Sequence, residues 1–145
     1  MEDKKSLNEY LLAEVTIIQD IIKRMAFNSF MIKGWAITLV VVALLLKGNI
    51  YQVWIAFIPL LVFWFLDTYF LWQERMYRKL YDWVVENRLK TDEYLFSMNA
   101  YRFKKQVHKK LRIMFSVTLG WFYGSIGILI AIYLFYLFYV SKGVC

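Results

Sequence analysis

The sequence has very few of the residues on which cross-links, metal sites and catalysis usually depend. Its 145 residues include one cysteine, one histidine and one proline. A single cysteine excludes an intramolecular disulfide, and Cys145 and His108 do not have metal-ligand spacing. There is no HExxH, GxSxG or P-loop motif and no glycine-rich phosphate cradle. We therefore predict that the protein is not an enzyme and needs no cofactor or metal.

The amino-terminal region also lacks the features of a cleavable secretory signal. About 30 residues rich in charge and helical periodicity precede the first apolar run, and no small-residue cleavage site follows that run. We expect the first apolar segment to remain in the protein as a membrane anchor.

Apolar side chains, by contrast, are abundant. They make up 61% of the chain, with 20% aromatic, against about 45–50% apolar residues in a soluble domain. Three segments are long enough to cross a bilayer. We predict an all-α integral membrane protein with an amphipathic cytoplasmic helix (1–30), a hairpin of two transmembrane helices (31–72), a basic helical cytoplasmic segment (73–113), a third transmembrane helix (114–140) and an external tail (141–145).

The amino-terminal helix has an apolar seam with alternating spacings of four and three residues, formed by Leu11, Val15, Ile18, Ile22 and Met25. Such a seam fits an amphipathic helix that lies on the membrane or against its own chain. It equally fits a contact between subunits.

Positive charge is concentrated between the second and third apolar segments. Residues 73–113 contain eleven lysines and arginines, whereas the turn at residues 47–49 contains one. Short loops rich in these residues stay in the cytoplasm during insertion. The distribution predicts a cytoplasmic N-terminus and an external C-terminus.

The same basic segment alternates its cations with aromatic residues, a composition typical of surfaces that bind phosphates and stack bases. Anionic lipid and the positive-inside rule produce the same pattern, so both interpretations stay open. The candidate ligand-binding residues are Arg75, Arg78, Lys79, Trp83, Arg88, Arg102, Lys104 and Lys105.

Asp67 is a carboxylate within the second apolar segment, where a charge is costly. If the first two spans fold back at residues 47–49, residues whose numbers add to about 97 lie at equal depth. Lys33, Asn28 and Ser29 then fall near Asp67 and form a polar layer with it. An ion pair that fixes the hairpin register explains this layer, as does a vestibule that attracts cations in an oligomer.

The third apolar segment carries small residues along one face, including Gly120, Gly124 and Gly127. Small residues at this spacing let transmembrane helices approach closely. The face fits an oligomer interface, and packing against the protein's own hairpin fits equally well.

Residues 11–85 also carry a specific pattern of short motifs, which resembles a family of small bacterial multi-span proteins from phage-defence loci. The matching residues are Arg24-Met25, Asn28-Ser29-Phe30, Lys33-Gly34-Trp35, Thr38-Leu39, Phe63-Trp64, Leu66-Asp67, Tyr69, Gln73-Glu74-Arg75 and Leu80-Tyr81-Asp82. The pattern is similar to that of the transmembrane effector of Hailong-type nucleotide-signalling systems.

The resemblance implies an antiviral membrane effector in the bacterial inner membrane. Its expected form is a homo-oligomer, such as a tetramer, with an ion-conducting pore. A nucleotide or oligonucleotide made by a partner nucleotidyltransferase, or a similar enzyme, would control the pore from the cytoplasmic face. The alternative is a non-conducting membrane adaptor that recruits a soluble partner.

The charge distribution makes the topology testable. Reporter fusions after Asn49 and Cys145 should report an external position, and a fusion after Thr91 should report a cytoplasmic one, because the eleven cations resist translocation. An external position for the Thr91 fusion would contradict the whole topology.

Overall fold

The computed structural model describes residues 2–45 and 50–142. Within these ranges the chain forms helices and turns and contains no β-strand, which confirms the predicted all-α fold. The long helices are α1 (Glu2–Leu45), α3 (Phe57–Asn87) and α5 (Val117–Lys142), and the short ones are α2 (Ile50–Ile55) and α4 (Lys110–Met114). The turn predicted at residues 47–49 and residues 143–145 of the predicted tail lie outside the described residues.

Three helical stretches are long and apolar enough to cross a membrane: Lys5–Leu45, Val53–Asn87 and Val117–Val140. Only 17%, 28% and 17% of their most apolar windows are buried within the chain. A soluble monomer rarely exposes apolar surface on this scale, and a lipid environment accommodates it. The structure therefore supports a multi-pass membrane protein with three transmembrane helices.

The chain divides into two compact units. Unit 1 comprises Met1–Asn28 and Phe70–Lys109, and unit 2 comprises Ser29–Tyr69 and Lys110–Cys145. Each unit therefore combines a part of α1 with a part of α3. Helix α5 belongs wholly to unit 2.

In unit 1, the apolar seam of α1 is covered by the chain itself. Ile18 is completely buried, and the other four residues of the seam are partly buried. Tyr10, which also lies on α1, makes an edge contact with the ring of Phe96 from the irregular segment after α3, with ring centroids 5.9 Å apart. Packing within unit 1 therefore accounts for the seam without a contact between subunits.

The second predicted span is interrupted near its start, between α2 and α3. Helix α2 ends at Ile55, and the N–H of Ala56 donates to the carbonyl of Val53 at 3.1 Å. Pro59 explains this position, because a proline ring clashes with the carbonyl four residues earlier, here that of Ile55. Its missing N–H falls in the first turn of α3, where no intrahelical acceptor exists.

The second half of the basic segment, which was predicted to be helical over residues 73–113, is more irregular than expected. A 3₁₀-helix spans Ala100–Phe103, with Asn99 at its N-cap, and α4 follows only at Lys110. The rest of residues 88–109 consists of turns, a bend and irregular backbone. Alternating aromatic and basic residues do not supply the apolar stripe that a long surface helix needs.

A buried ion pair holds this irregular segment to α1. The Arg88 guanidinium is completely buried and binds both carboxylate oxygens of Glu14 through Nε and Nη2. Its Nη1 and Nη2 also donate to loop carbonyls, so the group is fully used in hydrogen bonds. These carbonyls belong to Thr91, Glu93 and Tyr94.

The same pair stabilises an unusual backbone conformation. Tyr94 and Phe96 have φ values of 57° and 53°, in the left-handed region that side chains other than glycine disfavour. Glu14 accepts a hydrogen bond from the Phe96 N–H at 2.7 Å, and Arg88 binds the Tyr94 carbonyl. These bonds offset the backbone strain of the loop.

Removing either partner of this pair should destabilise unit 1 strongly. Arg88→Met or Glu14→Gln should lower the free energy of unfolding by about 3–5 kcal/mol, because the remaining charged or polar group stays buried without its partner. Thermal unfolding of the purified protein in detergent measures the change. Asp20→Asn is the control, since the Lys23–Asp20 pair is exposed and should contribute little. An Arg88→Met variant as stable as the control would show that the pair does not hold the unit.

Candidate functional site

The clearest candidate site is a positively charged cavity in unit 1, here called the basic pocket. Its volume is about 670 Å³, within the range typical of small-molecule sites. Four cationic side chains and one carboxylate line it, so its net charge is positive. The lining residues are Gln19, Ile22, Lys23, Arg75, Arg78, Lys79, Tyr81, Asp82, Gln106, Val107 and His108.

Helical spacing explains two walls of the basic pocket. One wall lies on α3. Its charged residues have the spacing i, i+3, i+4 and i+7, which places them on one face of the helix: Arg75, Arg78, Lys79 and Asp82. The other wall lies on α1, where the same spacing places three residues on one face of the helix: Gln19, Ile22 and Lys23. Residues 106–108, between the 3₁₀-helix and α4, complete the lining.

The cationic side chains of the basic pocket make only weak ion pairs within the protein. Arg78 pairs with Glu74 at 2.7 Å, and Lys79 lies 3.3 Å from Asp82. Both pairs leave the cation substantially exposed, and exposed pairs are weak. The Arg75 side chain makes no ion pair or hydrogen bond within residues 2–45 and 50–142. The pocket therefore has cationic donors available for an anion.

Trp83, the aromatic residue predicted to contact a ligand, is covered by an arginine in this structure. The Arg102 guanidinium lies 4.2 Å from the Trp83 ring centroid, 4.5 Å from that of Tyr94 and 4.9 Å from that of Phe103. Desolvation in this aromatic surround lowers the pKa of Arg102, and the neighbouring Arg88 adds to the effect. Trp83 and Arg102 thus form an internal cation–π cluster.

The structure separates the predicted ligand-binding residues into groups. Arg75, Arg78 and Lys79 line the basic pocket, whereas Trp83 and Arg102 belong to the aromatic cluster. Arg88 forms the buried pair with Glu14. Lys104 and Lys105 are exposed and do not line the pocket.

Sequence reasoning missed the part of the pocket that comes from other segments. Lys23 lies more than fifty residues before Arg75, so only tertiary structure shows that they line one cavity. The sequence gives no reason to place His108 in a site, because no carboxylate or nucleophile is near it in sequence. The one signal available was the spacing of Gln19 and Lys23, which places two polar residues on one face of α1.

A second candidate site is a buried polar cluster in unit 2, which we call the Asp67 cluster. The Asp67 side chain has no exposed surface, and Lys33 Nζ lies 2.6 Å from its Oδ2. Ser29 donates to Asp67 Oδ1 and accepts a hydrogen bond from Lys33 at 2.8 Å. The predicted contact between Lys33 and Asp67 is therefore present. Ser29, which was also predicted to lie in this layer, makes the contact to Asp67, and the place of Asn28 in the layer stays a prediction.

The Asp67 cluster has one member that the sequence did not indicate. The Tyr123 hydroxyl lies 3.1 Å from Asp67 Oδ2 and 3.3 Å from the Phe63 carbonyl oxygen. Tyr123 is buried, and its ring stacks on Trp64 with centroids 5.8 Å apart. The indole of Trp64 in turn donates to the carbonyl of Met114 at 3.0 Å. Helix α5 thereby joins α1 and α3 at one carboxylate.

The small-residue face of α5 divides into two parts. A Cβ added at Gly127 would meet the Leu60 side chain at 3.7 Å, so this glycine packs against the chain's own second span. A Cβ at Gly124 would meet nothing within 4 Å, and one at Gly120 only the backbone of Phe115. Gly120 and Gly124 line an apolar groove of about 380 Å³ with an exposed Trp121. Packing within unit 2 therefore accounts for Gly127 but leaves the other two glycines unexplained.

Comparison with known proteins gives no relative. No protein-family model matches the chain, and no curated protein or solved structure matches it. The resemblance to phage-defence effectors stays a prediction that only the quoted motifs support.

The ion pair of the Asp67 cluster should appear as energetic coupling. Lys33→Met should reduce the free energy of unfolding by about 3–5 kcal/mol, because it leaves the Asp67 carboxylate buried without its partner. Asp67→Leu should reduce it by less, because the Lys33 side chain is partly exposed and can move its ammonium group toward water. The double variant should be less destabilised than the sum of the single ones, with a coupling energy of about 1–3 kcal/mol. Thermal unfolding in detergent provides the values.

Lys5→Met combined with Asp67→Leu is the matched control for this cycle, since Lys5 is exposed and lies in unit 1. That pair should be additive. Additivity of the Lys33 and Asp67 changes as well would show that the two residues are not energetic partners.

Proposed function

We propose that the protein is a membrane effector of a bacterial antiviral system. It forms a homo-oligomer, such as a tetramer, with an ion-conducting pore in the inner membrane. A nucleotide or oligonucleotide made by a partner nucleotidyltransferase or a similar enzyme binds the basic pocket and controls the pore. The basic pocket is the observation that carries this proposal.

The chemistry of the basic pocket favours a ligand with several phosphate groups. Arginine presents a planar fork that binds phosphate oxygens in pairs, and Arg75 and Arg78 place two such forks on one helix face. Lys23 and Lys79 add point charges from two helices. Tyr81 contributes an aromatic side chain against which a base can stack. A volume of about 670 Å³ has room for a nucleotide with its phosphates.

The pore is proposed to lie between subunits, because three helices in one small chain enclose too little space for a water-filled path. The groove with Gly120 and Gly124 supports self-association, since small residues allow close helix contacts in lipid.

Helix α3 provides a physical link for control by the ligand. It is continuous from Phe57 to Asn87 and carries both Asp67 and the pocket cations that follow it. A ligand shifts a conformational equilibrium only through different affinities for the two states. We propose that movement of Arg75, Arg78 and Lys79 on α3 supplies that difference.

Binding to the basic pocket can be tested in nanodiscs of uncharged lipid with a short fluorescent single-stranded oligonucleotide. Arg75→Gln should weaken binding about tenfold or more, because hydrogen bonds to charged groups contribute about 1.5–3 kcal/mol. It should also reduce the slope of log K against log salt concentration by about 0.7. Lys5→Gln is the control, since it removes the same charge from an exposed position outside the pocket and should leave binding unchanged.

The same measurement separates a nucleotide from an anionic lipid headgroup. Phosphatidylglycerol added to the nanodiscs should compete weakly if the pocket is built for a nucleotide. Strong competition, with no oligonucleotide binding in uncharged lipid, would assign the pocket to lipid.

Pore formation is tested by dye uptake in cells that express the protein with and without its partner enzyme. Uptake should differ between the two conditions and change in the Arg75→Gln variant. Intact membranes under every condition, together with a monomeric mass, would contradict the pore and favour the adaptor.

A further inference from the structure

The Asp67 cluster has the composition of a cation site, beyond its role as an ion pair. Oxygen atoms of four groups are joined by hydrogen bonds in the buried interior of unit 2. They are the Asp67 carboxylate, the Ser29 and Tyr123 hydroxyls, and the Phe63 backbone carbonyl, which lies next to the Tyr123 hydroxyl. Oxygen ligands of this kind are those that hard cations prefer.

The Lys33 ammonium group contacts two of these oxygen atoms. Its ammonium nitrogen lies 2.6 Å from Asp67 Oδ2 and 2.8 Å from the Ser29 hydroxyl. The centroid of the Phe122 ring lies 6.0 Å from the nitrogen. An ammonium group has three donors and one positive charge, so it replaces a hydrated monovalent ion in both charge and contacts.

The two partners differ in their freedom to leave. Asp67 has no exposed surface, whereas 22% of the Lys33 side chain is exposed. A lysine has a long flexible stem and can move its ammonium group toward water or headgroups. Asp67 has no such movement available and, without a cation, would remain a buried unpaired charge.

Charge and coordination favour a monovalent ion as the replacement. Asp67 is the only carboxylate in the cluster, and among the described residues no group of three histidine, cysteine or acidic residues could hold a metal ion. A divalent ion would leave one positive charge uncompensated in an apolar interior. Sodium or potassium would restore neutrality.

We propose that the oxygen atoms of Ser29, Phe63, Asp67 and Tyr123 form a site for a monovalent alkali cation. In this structure the Lys33 ammonium group occupies the site. Withdrawal of Lys33 exchanges the internal cation for one from solution. A role of this exchange in ion conduction rests on the proposed pore. The cation site itself requires neither a pore nor a nucleotide.

The test removes the Lys33 ammonium group and determines whether a sodium or potassium ion replaces it. Thermal unfolding of Lys33→Met in detergent is compared in sodium, potassium and choline chloride at equal ionic strength. The variant should unfold about 3 °C or more higher in sodium or potassium than in choline, because a ligand that binds only the folded state stabilises it. The unchanged protein should show no such difference, since Lys33 already fills the site.

Two double variants identify the oxygen ligands. Lys33→Met with Asp67→Asn should lose the alkali-specific shift, and Lys33→Met with Tyr123→Phe should reduce it. Lys5→Met, which removes a lysine outside the cluster, should behave like the unchanged protein. Equal unfolding temperatures of Lys33→Met in all three salts would overturn the proposal.

A second variant keeps the test decisive if Lys33→Met folds poorly. Lys33→Gln retains a polar side chain and should be recovered in higher yield from sodium or potassium than from choline. Failure of both variants to fold in every salt would also overturn the proposal, because a site that accepts a free cation would be rescued by one. A missing nucleotide response with an intact alkali shift would contradict only the proposed function.

Discussion

The helix packing of unit 2 depends on one requirement: the Asp67 carboxylate, which has no exposed surface, must be neutralised. Asp67 lies among apolar side chains, where an uncompensated charge is costly. Lys33 and Ser29 from α1 and Tyr123 from α5 all reach it. Lipid-facing apolar surfaces provide little preference for one helix arrangement over another, because lipid is as apolar as the side chains. The polar contacts to Asp67 supply that preference, and they fix which faces of three helices meet.

Unit 1 uses a similar device for a different purpose. The Glu14–Arg88 pair is buried and fully hydrogen-bonded, and it orders a loop with two left-handed residues. The cations of the basic pocket are the opposite case, because their ion pairs are exposed or, for Arg75, absent among the described residues. Buried charges in this protein therefore organise structure, and exposed charges are available to bind a ligand.

The distinction between these two kinds of charge bears on how ligand residues are chosen from sequence. Arg75 and Arg88 both belong to the basic segment, and by composition they are equivalent candidates. The structure buries Arg88 against Glu14 and leaves Arg75 in the wall of a cavity. Trp83 is a plausible base-stacking residue by type, yet its ring faces Arg102. Residue type thus indicates a chemistry, whereas accessibility decides whether a ligand can use it.

The sequence by itself determined the helical class, the three membrane-capable segments and the pairing of Lys33 with Asp67. These properties follow from local composition, helical periodicity and the geometry of a hairpin, in which depth is a function of residue number. The break before Pro59 also has a local cause, although only the structure located it at Ala56. The basic pocket, the Glu14–Arg88 pair and the place of Tyr123 were decided by tertiary structure. Each joins residues far apart in the sequence, and their contacts depend on how helix faces and irregular loops pack, which periodicity does not encode.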